Sequence, residues 1–228
     1  MLEKMDLPAG LDERPLPEAV RGLIHDLHLR IEAFQDRWDV PQLEQFVAAD
    51  YELVFQTLAW IRQSQLLIGN RFLEWGCGFA AVTVMADALG WSAIGIESES
   101  TLIEHGRKTV QNWSGPLREG VRQNIADAPA RRGPPPELVV GNFLPPGAES
   151  MADDPTLPSL GHPVASAYEE LGLDLDDFAV VYSYPWPGED EFHESVFERF
   201  AAPGAVLVQF AGPNDMRAWR RVAAGRFG

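Results

Sequence analysis

Two carboxylates and two glycines near the middle of the chain have the types and spacing of a cofactor site. Glu74 precedes Gly76 and Gly78, and Glu97 ends the next apolar run, residues 92–97. A glycine can adopt positive φ and let a ligand approach the backbone closely because it lacks a Cβ. A carboxylate at the end of the second strand can accept hydrogen bonds from both hydroxyls of a ribose. These residues therefore predict a binding site for a nucleotide-like cofactor.

The segments around these residues have the patterns needed to position them. Phe72 and Leu73 begin a short apolar run that predicts a buried strand. The alanine-rich run 81–89 predicts a helix whose first N–H groups would face the glycine turn and favour an acceptor or an anion. Strand, turn, helix and second strand in this order indicate an α/β unit.

The glycine turn fits two cofactor fingerprints. Gly76-x-Gly78-x-x-Ala81 matches the dinucleotide fingerprint, whose last position can be alanine. Glu74-x-Gly76-x-Gly78-x-Ala80 resembles motif I of the class I S-adenosylmethionine (SAM)-dependent methyltransferases, with Ala80 in place of the family's third glycine. Glu74 favours the methyltransferase interpretation, because a carboxylate suits a cofactor with a sulfonium and an ammonium better than it suits a diphosphate. A glycine turn without a ligand is disfavoured by the shared register of the glycines and carboxylates.

The resemblance to that family implies roles for residues further along the chain. In the family, an acidic or amide side chain just past the third strand hydrogen-bonds adenine, and Asn142 with Phe143 occupies that place. Residues 183–186, Ser-Tyr-Pro-Trp, resemble motif IV of amino-group methyltransferases, in which a polar side chain holds the target nitrogen and an aromatic ring covers it. Tyr184 replaces the first proline of that motif, so nitrogen is only one of the open choices of acceptor.

Two sets of site residues follow from the resemblance, with SAM as the cofactor and no metal. The expected cofactor-binding residues are Glu74, Gly76, Cys77, Gly78, Glu97, Ser98, Asn142 and Phe143. The expected catalytic residues are Ser183, Tyr184 and Trp186. Methyl transfer is an in-line displacement that depends mainly on alignment, so the sequence indicates the cofactor better than the acceptor, which is a small molecule or a protein.

The fold class implied by the resemblance is α/β, a Rossmann-like three-layer α/β/α sandwich with a mostly parallel sheet. The resemblance covers residues 70–210 and implies the strand order 3-2-1-4-5. Three further apolar runs supply the remaining strands, at 137–141, 178–183 and 205–210. The family's sixth strand and antiparallel seventh strand are not visible, and residues 214–224 predict a basic final helix instead.

Two helical patterns precede the first strand and predict an N-terminal extension over residues 1–69, distinct from a SAM-binding domain over 70–228. Apolar residues spaced by threes and fours run from Val20 to Trp38 and from Leu43 to Ile61. This extension either folds over the cofactor cleft or packs against the sheet. Residues 1–17 are charged and contain prolines, and we expect them to be loosely ordered.

Several residues and segments have weaker signals. Tyr51, midway along the second helical pattern, is expected in the core, although it could reach the cofactor. His162, in the irregular segment 144–173, and His193, on a predicted helix near the cleft, are expected at the surface, although His193 could also act as a general base. Residues 114–136 are rich in turn formers and predict a break after the helix that precedes them.

Composition limits the choice of partners. The formal net charge of −16 disfavours nucleic acid, because phosphate backbones are repelled and the basic runs at 131–132 and 217–226 are short. The only cysteine, Cys77, excludes an intrachain disulfide and a cysteine metal cluster. The chain has no run of eighteen apolar residues and no signal-peptide pattern at its start, so we expect a soluble cytoplasmic protein.

Two alternatives to methyl transfer stay open at this stage. A nicotinamide-dependent oxidoreductase would share the glycine turn but would need a substrate-side proton donor, such as a Tyr-x-x-x-Lys pair, which is not evident. A catalytically silent binding module would keep the SAM pocket and lack a furnished acceptor site. A nucleoside triphosphatase is poorly supported, since the chain contains no Gly-x-x-x-x-Gly-Lys loop. The oligomeric state is open.

Overall fold

Apolar runs separated by turn residues form seven strands and six α-helices in the computed structural model, which describes residues 1–36, 47–124, 134–152 and 164–223. The strands are β1 Leu2–Lys4, β2 Arg71–Trp75, β3 Ser92–Glu97, β4 Glu137–Val140, β5 Val180–Ser183, β6 Val206–Gly212 and β7 Asp215–Arg221. The helices are α1 Glu18–Gln35, α2 Tyr51–Ser64, α3 Ala81–Ala88, α4 Ser100–Asn124, α5 Ala167–Leu171 and α6 Asp190–Phe200.

All seven strands form one sheet in the order β1-β7-β6-β5-β2-β3-β4. Neighbouring strands from β4 to β6 are parallel, whereas β7 is antiparallel to β6 and to β1. The five parallel strands follow the order 3-2-1-4-5, which confirms the predicted Rossmann-like class. The chain order reverses at β2, and open α/β sheets bind ligands at the carboxyl ends of the strands at this point.

Alternate residues of each central strand face opposite helical layers. In β2, Phe72 packs into a core cluster shared with α1 to α4, whereas Leu73 and Trp75 pack into a second cluster shared with α5 and α6. We call these the α3 face and the α6 face of the sheet. Helices cover both, which gives the predicted three layers.

The N-terminal helices pack in the same core as the sheet. α1 ends at Gln35, and α2 begins at Tyr51, where the Asp50 side chain accepts a hydrogen bond of 3.1 Å from the N–H of Leu53. Tyr51 therefore lies in the first turn of α2 rather than midway, because residues 47–50 before it are not helical. The predicted start at residues 41–43 lies outside the described residues. The division into two domains at residue 69 stays a prediction.

The predicted final helix is wrong, and so is the expected lack of an antiparallel last strand. β7 pairs with β6 across a tight turn in which Asn214 has φ 60°. A Pro-Asn turn directly after an apolar strand favours a hairpin. Ala218 is buried, and the Trp219 indole N–H donates to the Gln209 side chain over 3.1 Å, so consecutive residues of β7 pack on opposite faces of the sheet as a strand requires.

The chain start is also more ordered than predicted. Leu2 to Lys4 pair with β7 as an edge strand, and the N–H of Met5 donates to the carbonyl of Ala218 over 2.9 Å. This strand carries few apolar residues, so its alternation gives no sequence signal. Its hydrogen bonds to β7 decide its conformation.

The predicted break after residue 113 does not occur, because α4 continues to Asn124 with Pro116 inside it. Leu117 and Val121 are fully buried and extend the apolar side of the helix past the proline. Arg118 holds the same stretch by donating to both carboxylate oxygens of the buried Asp87, over 2.5 and 2.9 Å. Burial and this ion pair outweigh the hydrogen bond lost at Pro116.

No described helix combines the length and apolar character needed to cross a membrane.

Candidate functional site

The turn after β2 has the backbone conformation that its glycines predict. Gly76 and Gly78 have φ of 71° and 48°, and Ala80 has φ of 58°. A Cβ added at Gly76 would meet no atom within 4 Å, so the turn is open beside this residue. Ala80, which replaces the third glycine of the family pattern, keeps a glycine-like conformation at a cost of about 1 kcal/mol.

Glu74 joins the end of β2 to the start of α3. One of its carboxylate oxygens accepts hydrogen bonds from the Thr83 backbone N–H, over 2.7 Å, and from the Thr83 hydroxyl. Ala80 at the N-cap has no side chain that could cap the helix, so Glu74 does this from the neighbouring strand. Burial raises the pKa of Glu74 to about 8, and the hydrogen bonds from Thr83 oppose that rise.

Glu97 joins the end of β3 to the same turn. One carboxylate oxygen accepts from the N–H of Gly78 over 2.8 Å, and the other accepts from the N–H of Glu99 over 2.9 Å and the hydroxyl of Ser98 over 3.4 Å. Burial raises the pKa of Glu97, and these backbone hydrogen bonds lower it. Both predicted carboxylates thus lie at neighbouring strand ends, one bonded to the glycine turn and the other to the first turn of α3.

Cys77 sits inside that turn as a buried thiol. Its N–H donates to the carbonyl of Ile96 over 2.8 Å, which ties the turn to β3. Its side chain lies where a Cβ on Gly95 would come within 2.8 Å of it, so Cys77 fills the space against β3. Burial raises the pKa of the thiol well above its usual value, which suits a packing residue.

Three tyrosines lie near Glu74 on the α3 face. Tyr182 of β5 is in register with Glu74 of β2, and its buried hydroxyl has no hydrogen-bond partner. Tyr51 lies at the start of α2, and its pKa is raised by burial, by the Glu74 carboxylate and by Tyr184. Burial also raises the pKa of Tyr184. The sequence analysis did not single out Tyr182, because it lies within an apolar run. The only sequence feature that points to it is Tyr184, which lies two residues later and so falls on the same face in a strand.

Asn142 and Phe143 follow β4 as predicted, but their side chains make different kinds of contact. The Asn142 side-chain oxygen accepts from the N–H of Leu144 over 2.9 Å, within its own loop. The Phe143 ring stacks on the Trp75 ring, with centroids 4.9 Å apart and planes 25° apart. Phe143 therefore reaches the end of β2, whereas the Asn142 amide group orders the loop.

Ser183 and His193 meet the same tryptophan on the α6 face. Ser183 is in register with Trp75, and its fully buried hydroxyl has no hydrogen-bond partner. The His193 ring lies 5.6 Å from the Trp75 ring and 5.0 Å from the Phe143 ring, and neither ring nitrogen has a partner. Burial lowers the pKa of His193 to about 3, so its imidazole is neutral.

The surface position expected for His193 is therefore wrong. Phe192, Val196 and Phe197 make this side of α6 the buried one, and His193 falls on it. His162, the other histidine singled out, lies outside the described residues.

The structure divides the predicted catalytic residues between the two faces. Ser183 lies with Trp75 on the α6 face, whereas the half-buried Tyr184 ring packs edge-on against Phe210, with centroids 4.8 Å apart. Trp186 is half-buried in the following turn, where its carbonyl accepts from the N–H of Glu189 over 2.9 Å. This turn follows β5, beside the carboxylates.

Comparisons with known proteins give distant similarities. No protein-family model matches the chain. Among solved structures, it is similar to an RNA methyltransferase from Salinibacter ruber in complex with S-adenosyl-L-homocysteine (SAH), at 12% identity and a TM-score of 0.44, covering 83% of this chain and 98% of that one. It is also similar to an O-methyltransferase from Bacillus cereus in complex with SAH, at 12% identity and a TM-score of 0.45, covering 86% of this chain and 66% of that one.

One curated protein matches over a short stretch. This is the protein translocase subunit SecA of Azoarcus sp. (strain BH72), 32% identical over 79 residues. The match covers 31% of this chain, and the chain spans 9% of the length of that relative.

Proposed function

We propose that this protein is a SAM-dependent methyltransferase. One observation carries the proposal: two buried carboxylates lie at the ends of neighbouring parallel strands, where Glu97 binds the glycine turn through Gly78 and Glu74 binds the first turn of the following helix through Thr83. A diphosphate at this turn would lie beside Glu74 and Glu97, whereas a cofactor with a cationic end and a ribose gains from both. The donor set therefore fits SAM better than a dinucleotide.

Different residues at and around the turn would bind different parts of the cofactor. Glu74 and the backbone of Gly76, Cys77 and Gly78 would hold the cationic methionyl end, and Glu97 with Ser98 would accept the ribose hydroxyls. Asn142 and Phe143 would border the adenine, Phe143 through its ring and Asn142 by fixing the loop.

When bound, SAM supplies an activated methyl group. The chain's own contribution is then alignment of the acceptor with that group, which needs no dedicated acid or base. Tyr184 and Trp186, in the turn after β5, are the proposed acceptor contacts, whereas Ser183 can reach an acceptor only if the packing around Trp75 opens. We propose a small-molecule or protein acceptor, with nucleic acid disfavoured by the charge of −16, and a cytoplasmic location.

A second candidate function is binding of SAM without transfer. The full burial of Ser183 favours it, because the polar residue of the acceptor motif faces the core rather than the cleft. Transfer of a labelled methyl group from SAM to any component of a cell extract by the wild-type protein, but not by a Glu97→Ala variant, would exclude this candidate.

The test of the cofactor is a titration of the protein with SAM, SAH and NADH in parallel, by calorimetry and thermal shift. A ligand that binds only the native state raises its stability by mass action. We expect SAM and SAH to bind and NADH not to bind. Binding of NADH alone would support the oxidoreductase, and a lack of response to all three would contradict the proposal.

A further inference from the structure

A groove lies between α4 and the segment that leads into β4, and we call it the α4 groove. Its volume is about 600 Å³, which falls in the range of small-molecule sites, roughly 300–1,000 Å³. Val110 of α4, Leu138 of β4 and the rings of Pro135 and Pro136 give it apolar walls. None of the described residues that line it belongs to the candidate cofactor site, so the α4 groove is a separate feature.

The α4 side of the groove carries polar side chains at helical spacing. Four of them fall on one side of the helix over about 16 Å, because they are separated by four, three and four residues: Arg107, Gln111, Ser114 and Arg118. Arg107 and Gln111 are exposed, and neither has a hydrogen-bond or ion-pair partner among the described residues. The Ser114 hydroxyl donates to the Val110 carbonyl over 2.7 Å. The donors that stay available to a ligand are therefore those of Arg107 and Gln111.

Arg118 fixes one end of the α4 groove, and Arg107 supplies its charge. Arg118 pairs with the carboxylate of the buried Asp87 and donates to the carbonyl of Pro134 over 2.7 Å. It is thus neutralised within the protein and ties the proline segment to α4. No aspartate or glutamate is among the described residues that line the groove. The charge of Arg107 is therefore uncompensated there, in a chain whose net charge is −16.

We propose that the α4 groove binds a small organic anion that has one acidic group and a flat apolar body. The acidic group would lie on Arg107 and Gln111, and the apolar body would lie against the proline and leucine walls. A guanidinium and a carboxamide together offer several N–H donors to a carboxylate, phosphate or sulfonate. A polyanion such as nucleic acid would extend past the groove onto an acidic chain that repels it. This inference does not depend on the proposed function.

The test uses two dyes that differ only in the acidic group. Anilinonaphthalenesulfonate is fluorescent and carries one sulfonate on an aromatic body, and phenylnaphthylamine is its neutral counterpart. In fluorescence titrations of the full chain, we expect the sulfonate dye to bind at a single saturable site and the neutral dye to bind about tenfold more weakly. Equal affinity for the two dyes would overturn the proposal, because the acidic group would then contribute nothing.

Two matched pairs of variants on α4 locate the bound dye. Arg107→Gln and Lys108→Gln each remove one positive charge, and Gln111→Glu and Asn112→Glu each add one negative charge, but only Arg107 and Gln111 line the groove. We expect these two variants to weaken binding of the sulfonate dye about tenfold, and their neighbours to change it by less than about twofold. All four positions are exposed, so the melting temperatures should stay close to that of the wild-type protein. Either pair suffices if a variant of the other does not fold.

Equal weakening within both pairs, or no weakening in either, would overturn the assignment of the α4 groove. Displacement of the dye by saturating SAH would also overturn it, because the dye would then lie at the cofactor site. Failure of the wild-type protein to bind SAM and SAH would contradict the proposed function, which is a separate result, and the paired variants would still decide the role of the groove.

Discussion

At the carboxyl ends of β2 and β5, the two faces of the sheet carry side chains of different chemistry. On the α3 face, Glu74 and Tyr182 are paired in register, and a helix N-terminus anchors the carboxylate. On the α6 face, Trp75 and Ser183 are paired in register, and His193 lies neutral among aromatic rings. A shift of one residue along each strand thus separates a face that carries a carboxylate and a phenol from a face that carries an indole and a buried serine hydroxyl.

The largest effect is expected at Glu74. The pKa of Glu74 is about 8 in the free protein, and a bound cation would favour its ionised form. Glu74→Ala should therefore weaken SAM binding by tenfold or more, and it should lower the free energy of unfolding by about 1–2 kcal/mol because it also removes the cap of α3. Glu74→Gln should keep most of the stability, since an amide oxygen can still accept from Thr83, yet bind SAM as weakly as the alanine variant. Calorimetry and urea unfolding measure the two effects. Tight SAM binding by Glu74→Gln would show that the α3 face does not select for charge.

The pH dependence of stability should run in opposite directions on the two faces. The pKa of Glu74, raised to about 8, means that the folded state binds more protons than the unfolded state between about pH 4.5 and 8, so this group lowers stability as pH rises through that range. The pKa of His193, lowered to about 3, means that the unfolded state binds more protons between about pH 3 and 6.5, so this group lowers stability as pH falls.

Urea unfolding across pH 4 to 9 checks both slopes, each at most about 1.4 kcal/mol per pH unit. The two slopes oppose each other between about pH 4.5 and 6.5, where both groups act. His193→Phe should leave only the loss of stability as pH rises from about 4.5 to 8, and Glu74→Gln should leave only the loss of stability as pH falls below about 6.5. If His193→Phe does not change the pH dependence of stability below about pH 6.5, the imidazole does not titrate as a buried group.

Glu97→Ala should have a smaller effect than loss of Glu74. It removes the proposed ribose acceptor and the hydrogen bond to Gly78, so SAM affinity should fall by about 1 kcal/mol or more. SAH should lose the same amount of affinity, because both ligands carry the ribose. Unchanged affinity by calorimetry would remove Glu97 from the ribose site.

The smallest expected effect tests the backbone of the turn. Ala80→Gly should raise the free energy of unfolding by about 0.5 kcal/mol, because Ala80 has a positive φ that glycine adopts without strain. Ala81→Gly, one residue into α3, is the matched control and should lower it by about 1 kcal/mol. If both variants are destabilised equally, the conformation of Ala80 carries no strain.

The parts of this molecule that could be predicted are those specified by local spacing. The spacing of Glu74, both glycines and Glu97 predicts the turn and its two carboxylates. The apolar runs mark the strands, and the resemblance carried by the turn implies their parallel order. The roles of Thr83 and Tyr182 could not be predicted, because each depends on a partner from another element. The cofactor and acceptor roles of all these residues stay predictions.

The errors also have physical causes. The burial of His193 is invisible in the sequence, because α6 has polar and apolar residues at either side of it and only packing decides which side is covered. The sequence predicts a helix at β7 because the arginines there hide the alternation of a strand. It predicts the end of α4 after residue 113 because turn formers follow, although burial of Leu117 continues the helix.

The pairing of β1 with β7 places a constraint on how the chain is made. Leu2 to Lys4 have their hydrogen-bonding partners at residues 219–221. This strand pair therefore joins residues that are separated in sequence by nearly the whole described length. At a synthesis rate of about 5–20 residues per second, β1 therefore stays unpaired for roughly ten seconds or longer, until β7 has been made. The glycine turn and its two carboxylates, by contrast, are close in sequence and can assemble while the ribosome is still at work.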